Sequence, residues 1–138
     1  MKNTNNLYKK LIKYLFVCCL WTIVSLSCSA KHLHNEKYYQ EIWCKANNGI
    51  LEYQNDDSTR VDCLTENNAV EFDFAAKWAE SIGQALYYQK KTKKRGKVVL
   101  ILENTEKEMK YFNRVKELSV DYNFDCEYIT PLKAEKLK

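Results

Sequence analysis

The chain has 138 residues, which is enough for one domain of ordinary size. It carries 22 basic and 18 acidic residues, but four of the basic residues and none of the acidic ones lie in residues 1–30. Residues 31–138 therefore carry 18 residues of each sign, and this balance excludes a general electrostatic attraction to nucleic acid.

The first 30 residues have the pattern of a secretory signal. Four lysines within residues 2–13 precede the uncharged residues 14–30, whose apolar centre is residues 15–24. Small residues before Lys31 permit cleavage after Ala30. We therefore expect the chain to be exported, either to the periplasm or out of the cell.

Two alternatives to cleavage remain open for this segment. Ser25-Leu26-Ser27-Cys28 resembles a bacterial lipobox, which would lead to lipidation of Cys28. The apolar run is also about the minimum length for a membrane span, so the segment could stay as an uncleaved anchor. In each case, the segment is the only part of the chain that we expect to contact a membrane.

Residues 31–138 alternate between helical and strand periodicity. Helical patterns cover residues 36–47, 75–91 and 105–122, and strand patterns cover residues 50–53, 60–64, 70–74, 97–102 and 124–129. This order, α-β-β-β-α-β-α-β, predicts an α/β domain in which a mixed sheet lies between two layers of helices. Gly96 is expected to end the second helix, and the lysine-rich tail after Pro131 is expected to fray.

Three acidic residues are predicted to converge on one face of the sheet. Glu71 and Asp73 alternate with the apolar residues of their strand, so both carboxyl groups project from one face. Asp62 lies on the preceding strand, and a polar turn at residues 65–68 allows the two strands to pair as a hairpin. The alternative is that Glu71 and Asp73 form an ordinary solvated strand face.

The helix that follows carries polar residues along one side. Lys77, Gln84 and Tyr88 fall within about 20° of one line on a helical wheel. Apolar residues, including Trp78 and Ile82, occupy the opposite side. Such a stripe is also typical of the wet side of an amphipathic helix.

Together, these residues resemble the PD-(D/E)xK nuclease superfamily, whose fold is restriction-endonuclease-like. Asp62 matches the first acid of its motif, Glu71 matches the second, and the sequence from Gln84 to Tyr88 matches the Gln-x-x-x-Tyr helix motif of its RecB-like branch. The resemblance covers roughly residues 36–129. The chain departs from the motif at Asp73, where the family has a lysine, and Lys77 could be a migrated replacement.

The resemblance implies metal-dependent hydrolysis of phosphodiester bonds in nucleic acid. Asp62, Glu71 and Asp73 would supply hard oxygen ligands to Mg²⁺ or Mn²⁺. Asp62, Glu71 and Lys77 would be the catalytic residues, with Lys77 stabilising the transition state or orienting the attacking water.

The resemblance also implies residues that position the substrate. Gln84 and Tyr88 would position the lysine or the nucleic-acid backbone, and Glu41 on the first helix could reach the acids. Six basic residues between residues 90 and 97 could contact phosphate, although cations also commonly complement a helix C-terminus.

Three cysteines remain in residues 31–138, namely Cys44, Cys63 and Cys126. If the chain is exported, we expect a disulfide between Cys44 and Cys63, worth about 3 kcal/mol on the chain-entropy model, and a free Cys126. Three buried free thiols are the alternative.

Two other functions remain open. A nuclease fold without activity could serve as a binding module, and Asp73 in the lysine position favours that interpretation. The leader and the balanced charge also suit a small envelope protein with a structural or adhesive role. The sequence does not indicate an oligomeric state.

Overall fold

The structure is a computed structural model that describes residues 31–138. The predicted signal segment and Cys28 lie outside this range. The elements in chain order are α1 (Glu36–Ala46), β1 (Ile50–Gln54), β2 (Arg60–Leu64), β3 (Asn68–Phe74), a 3₁₀ turn (Ala75–Lys77), α2 (Trp78–Thr92), β4 (Arg95–Ile101), α3 (Thr105–Asp121), β5 (Asp125–Ile129) and α4 (Pro131–Leu137).

The five strands form one mixed sheet in the order β1-β2-β3-β4-β5. β1, β2 and β3 form an antiparallel meander, and β4 and β5 add in parallel through helical crossovers. The prediction of an α/β domain with a mixed sheet is confirmed. Apart from the 3₁₀ turn, the elements from α1 to β5 also follow the predicted order.

Apolar clusters cover both faces of the sheet, as a layered α/β domain requires. On one face, Tyr39 and Trp43 of α1 pack against Phe72 of β3 and residues of β4 and β5. On the other face, α2 and α3 pack against Val98 and Leu100 of β4. β4 is buried along most of its length because its two faces belong to different clusters.

The tail after Pro131 is helical, so the prediction that it frays is wrong. Thr130 caps α4 by accepting a hydrogen bond from the Lys133 N–H, and Pro131 occupies the first turn, where its missing N–H costs nothing. Ala134 is fully buried in the cluster with α1. The helix therefore forms because the chain can bury one of its sides.

Gly96 does not end α2, contrary to the prediction. The helix ends at Thr92, and Lys93 follows it with a left-handed φ of 59°. Gly96 lies in β4, where a Cβ atom would come within 2.5 Å of the Ala85 carbonyl oxygen. Glycine is therefore needed there for the close approach of α2 to the sheet.

A disulfide joins Cys44, near the end of α1, to Cys63 of β2, with 5.8 Å between the Cα atoms. Cys126 is free and half-buried. Both observations agree with the predicted cysteine pattern. In the part of the chain that the structure describes, no helix is both long and apolar enough to cross a membrane.

Candidate active site

One cavity of about 560 Å³ contains nearly all of the residues that the sequence singles out. Its walls come from α1, the three meander strands, the 3₁₀ turn and α2. The lining residues are Glu36, Lys37, Gln40, Glu52, Arg60, Asp62, Glu71, Asp73, Lys77, Gln84 and Tyr88. Within residues 31–138, every residue predicted to bind metal, act in catalysis or position the substrate lines this cavity, except Glu41.

The two acids of β3 lie deep in the cavity. Glu71 is 5% exposed and Asp73 is 2% exposed, so they do not form the solvated strand face that was the alternative. Their alternation with Val70 and Phe72 directs them away from the α1 cluster. Glu71 Oε2 and Asp73 Oδ2 are buried without a hydrogen-bond partner. Such atoms are uncommon in folded proteins, because a buried oxygen without a hydrogen bond has lost its hydration without compensation.

Asp62 joins these acids from the neighbouring strand. Cys63 pairs with Val70, and extending this antiparallel register by one residue places Asp62 opposite Glu71. The ladder between β2 and β3 ends there, and Asp62 Oδ2 accepts a hydrogen bond from the Phe72 N–H at 2.7 Å. The acid therefore replaces a strand carbonyl as partner of that amide and is fixed beside Glu71.

The residues after β3 supply the other side of the cavity. Lys77 lies in the 3₁₀ turn before α2, and its Nζ is 3.2 Å from Asp73 Oδ1. One α-helical turn apart on α2, Gln84 and Tyr88 also line the cavity, and the Tyr88 hydroxyl donates to Gln84 Oε1 at 3.4 Å. Lys77 therefore turns towards the acids, as predicted for a migrated lysine.

The acid that α1 contributes to the cavity is Glu36, not Glu41. Glu36 occupies the first turn of α1, where Gln40 Nε2 donates to it at 3.2 Å. Glu41 is exposed beside Lys37 and lines a separate groove of about 410 Å³ next to the C-terminus. Five residues after Glu36, a helix has turned by about 140°, which explains why Glu41 faces elsewhere.

Burial raises the pKa of every acid in this group that lies deep in the cavity. It raises the pKa of Glu71 well above its ordinary range, and the charges of Asp62 and Asp73 add to this effect. Burial also raises the pKa of Asp62, against the hydrogen bond from the Phe72 N–H. For Asp73, burial is again the first cause, and Lys77 opposes it. In the absence of a cation, Glu71 therefore retains its proton at neutral pH, because its pKa is raised to about 10.

Burial also affects the pKa of Glu36 on α1. Burial raises its pKa to about 7, with the charge of Asp73 as the second cause. Burial likewise raises the pKa of Tyr88 to about 12, with the charge of Glu71 next in importance. Ionisation is therefore disfavoured for Glu36 on α1 and for Tyr88 on α2, as it is for the acids of the strands.

The acids share a cavity but do not form a ready-made metal cage. Within residues 31–138, no three His, Cys, Asp or Glu side chains are grouped so that they could hold a metal ion. The unpartnered oxygens of Glu71 and Asp73 suit a hard cation chemically. Ion binding would therefore require side-chain rotation within the cavity.

No protein-family model, curated protein or solved structure matches this chain. Its function is therefore argued from the site residues themselves. Three carboxyl groups, one ammonium group and an amide-hydroxyl pair can bind a cation, orient a water molecule and exchange protons.

Three of the six basic residues between residues 90 and 97 form ion pairs outside the cavity. Arg95 Nε is 2.6 Å from Asp125, and Lys97 Nζ is 3.2 Å from Glu127, both on β5. Lys91 pairs with Asp56 of the β1–β2 turn. These pairs stabilise contacts within the domain, and none of the three cations lines the acid cavity.

Sequence reasoning missed four further charged residues at the cavity, which are Glu36, Lys37, Glu52 and Arg60. Glu36 could have been found as an acid in the first turn of a helix, where acids favour the macrodipole. Glu52 and Arg60 carry no motif. Their position depends on how β1 and β2 pair beside Asp62.

Proposed function

We propose that residues 31–138 form a divalent-metal-dependent nuclease-like domain that hydrolyses phosphodiester bonds of nucleic acid, and that the chain is exported. One observation carries this proposal: Glu71 Oε2 and Asp73 Oδ2 are buried and unpartnered in a cavity that also contains Asp62. Burying a carboxyl oxygen without a partner is costly, and a hard cation is a partner that would offset the cost.

A restriction-endonuclease-like fold is part of the proposal. The order of the helices and strands from α1 to β5 supports it, as do the positions of Asp62 and Glu71 on adjacent strands. Gln84 and Tyr88 on the following helix also occupy the cavity, which is what the resemblance to the PD-(D/E)xK superfamily implies.

Asp62, Glu71 and Asp73 would hold Mg²⁺ or Mn²⁺. The bound ion would supply a Lewis acid that polarises the phosphodiester and lowers the pKa of a bound water. Glu71 would release its proton when the ion binds, because a cation favours the charged carboxylate. Lys77 would orient the attacking water or stabilise the charge of the transition state.

Gln84 and Tyr88 would position the lysine or the nucleic-acid backbone from the other wall. Their mutual hydrogen bond fixes both side chains towards the cavity. Glu36 could take up a proton near neutral pH, since its pKa is about 7.

A catalytically silent binding module is the second candidate. The ion pair between Lys77 and Asp73 neutralises one acid without a metal, which favours this function. The lack of a grouped ligand set within residues 31–138 favours it as well. Both candidates predict nucleic-acid binding, and only the first predicts cleavage.

A plasmid-nicking assay of the purified protein tests the proposal, with Mg²⁺, Mn²⁺ or EDTA. We expect cleavage with a divalent metal and a loss of at least about a hundredfold in Glu71→Gln and Lys77→Ala, because both side chains act on the reacting groups. Glu41→Gln is the matched control, since Glu41 lies outside the cavity, and it should cleave like the wild type.

Each outcome of this assay selects one function. Failure of the wild-type protein to cleave in the presence of any divalent metal contradicts the nuclease proposal. If that protein still binds oligonucleotides, the binding module is selected. Equal cleavage by Lys77→Ala and wild type would show that Lys77 does not replace the missing lysine of the motif.

A further inference from the structure

Glu52 has an unusual backbone conformation in the middle of a strand. Its φ is +52°, and the other non-glycine residues with positive φ in residues 31–138 lie at helix ends or in a turn. The pairs on either side, Leu51 with Cys63 and Tyr53 with Val61, stay in register. The left-handed residue is therefore a local feature directly opposite Asp62. Glutamate rarely adopts this conformation, and such residues cluster at functional sites.

The Glu52 carboxylate holds an arginine at the mouth of the acid cavity. Arg60 Nη1 lies 3.0 Å from Glu52 Oε2 in a diagonal pair across β1 and β2. Both residues line the cavity. Arg60 is two residues before Asp62 on the same strand, and its charge acts on the Asp62 carboxyl group.

The acid cavity has two buried acids and an exposed arginine among its lining residues. Glu71 and Asp73 form its buried floor, whereas the Arg60 side chain is 66% exposed at the rim. The Glu52 side chain is 39% exposed and accounts for one of the five N–H donors of the guanidinium group. The other donors remain available to a ligand. An exposed cation over an acidic floor suits an anion that also contacts a cation held by that floor.

We propose that Arg60 binds a backbone phosphate of nucleic acid at the cavity mouth, and that Glu52 holds the guanidinium group in place. The choice of nucleic acid as the ligand rests on the proposed function. A planar guanidinium group presents two parallel N–H groups to two phosphate oxygens in a rigid fork, a geometry that the lysine ammonium group lacks. Arg60 is thus a substrate-binding residue, and Glu52 is a positioning residue.

Arg95 provides a matched control for Arg60. It also begins a strand and forms one ion pair, with Asp125, but it lies outside the acid cavity. It belongs to the basic residues after α2 that the sequence offers as an alternative phosphate-binding patch. Comparing Arg60→Gln with Arg95→Gln therefore decides between two phosphate sites in one experiment.

Binding is measured by fluorescence anisotropy of purified protein with labelled single-stranded DNA, duplex DNA and single-stranded RNA oligonucleotides. Ca²⁺ replaces Mg²⁺ or Mn²⁺ in one set of measurements, and EDTA removes divalent metal in a second set. We expect Arg60→Gln to weaken binding of the preferred probe about tenfold to a hundredfold. We also expect the slope of log affinity against log salt to decrease in magnitude by about 1, which a purely structural role would not cause. Arg95→Gln should bind like the wild type.

Equal binding by Arg60→Gln and wild type would overturn the inference, as would wild-type protein that binds none of the probes. Failure of the nuclease proposal can be distinguished from failure of the inference about Arg60. Cleavage with Mg²⁺ and an unchanged KM in Arg60→Gln would retain the nuclease and reject Arg60. Weaker binding in Arg60→Gln without any cleavage by wild type would retain Arg60 and reject the nuclease.

Glu52→Gly tests the positioning residue separately, by the same anisotropy measurement and by thermal unfolding. We expect weaker oligonucleotide binding than in wild type, because the Arg60 guanidinium group is no longer held, and binding equal to wild type would reject the positioning role. Glycine adopts positive φ without steric cost, so this variant should unfold at the same temperature as wild type or higher if Glu52 is not kept for folding. Lys93→Gly, at the left-handed end of α2, is the control for the backbone effect. A clearly lower unfolding temperature for Glu52→Gly alone would show that the pair with Arg60 serves stability.

Discussion

Glu71 is the residue at which the stability of the domain and its proposed function oppose each other. Its carboxyl group is buried among other acids, and one of its oxygens has no partner. Native proteins commonly retain such costly groups at sites where a ligand compensates for them. The protonation of Glu71 therefore reports on both folding and ligand binding.

We predict that the metal-free protein becomes less stable as pH rises from about 5 to about 8. Burial raises the pKa values of Glu71 and Asp62 in the folded state, and that of Glu36 to about 7. The unfolded chain has lost these protons by about pH 5. The folded chain releases them only near pH 6 at Asp62, near pH 7 at Glu36 and above this range at Glu71. Stability must then fall with rising pH, which thermal unfolding in EDTA will measure.

Two comparisons make this prediction specific. Glu71→Gln should show a flatter pH dependence than wild type because it cannot ionise, whereas Glu41→Gln should follow wild type because Glu41 is outside the cavity. Mg²⁺ or Mn²⁺ should raise the unfolding temperature most at the higher pH, where proton release costs least. A wild-type stability that increases steadily over this range would contradict the prediction.

Among the elements, α1 and β2 form a pair that the disulfide holds together. α1 contributes Glu36 to the cavity and β2 contributes Asp62, while the bridge joins Cys44 to the neighbouring Cys63. Gly49 permits this bridge, because a Cβ atom there would lie 2.3 Å from Cys63 Sγ. The covalent link therefore fixes two walls of the candidate site relative to each other.

We predict that removing this disulfide lowers the free energy of unfolding by about 3 kcal/mol, since the bridge closes a loop with a sequence separation of 19. Urea unfolding of the Cys44→Ala, Cys63→Ala double variant measures the change. Cys126→Ala is the control, because Cys126 is free and half-buried, and it should change the free energy by no more than about 1 kcal/mol. Equal losses in both proteins would reject a special role for the bridge.

For the whole molecule, we predict export. The lysines before residue 14, the uncharged residues after them and the small residues before Lys31 motivate this prediction. N-terminal sequencing of protein from the native cell should begin at Lys31, or should be blocked by a lipid on Cys28. A cell-associated protein that begins at Met1 in the membrane fraction would indicate the uncleaved anchor. A cytosolic protein that begins at Met1 would contradict export.

The sequence alone determined the order of the helices and strands up to β5 and the fold class. This was possible because periodicity of 2 or 3.6 records which residues of an element face the core. The alternation around Glu71 and Asp73 likewise showed that both share one face. It did not show that the face is buried, since alternation carries no information about what covers each side.

Only the tertiary structure decided which further residues reach the cavity. Glu36 and Glu41 look equivalent in the sequence, and the rotation of α1 against the sheet selects Glu36. The positions of Glu52 and Arg60 depend on the left-handed backbone of Glu52, which a glutamate in the sequence does not predict. α4 forms because Ala134 is buried against residues of α1. In each case the deciding contact joins residues distant in sequence, and a local pattern cannot encode it.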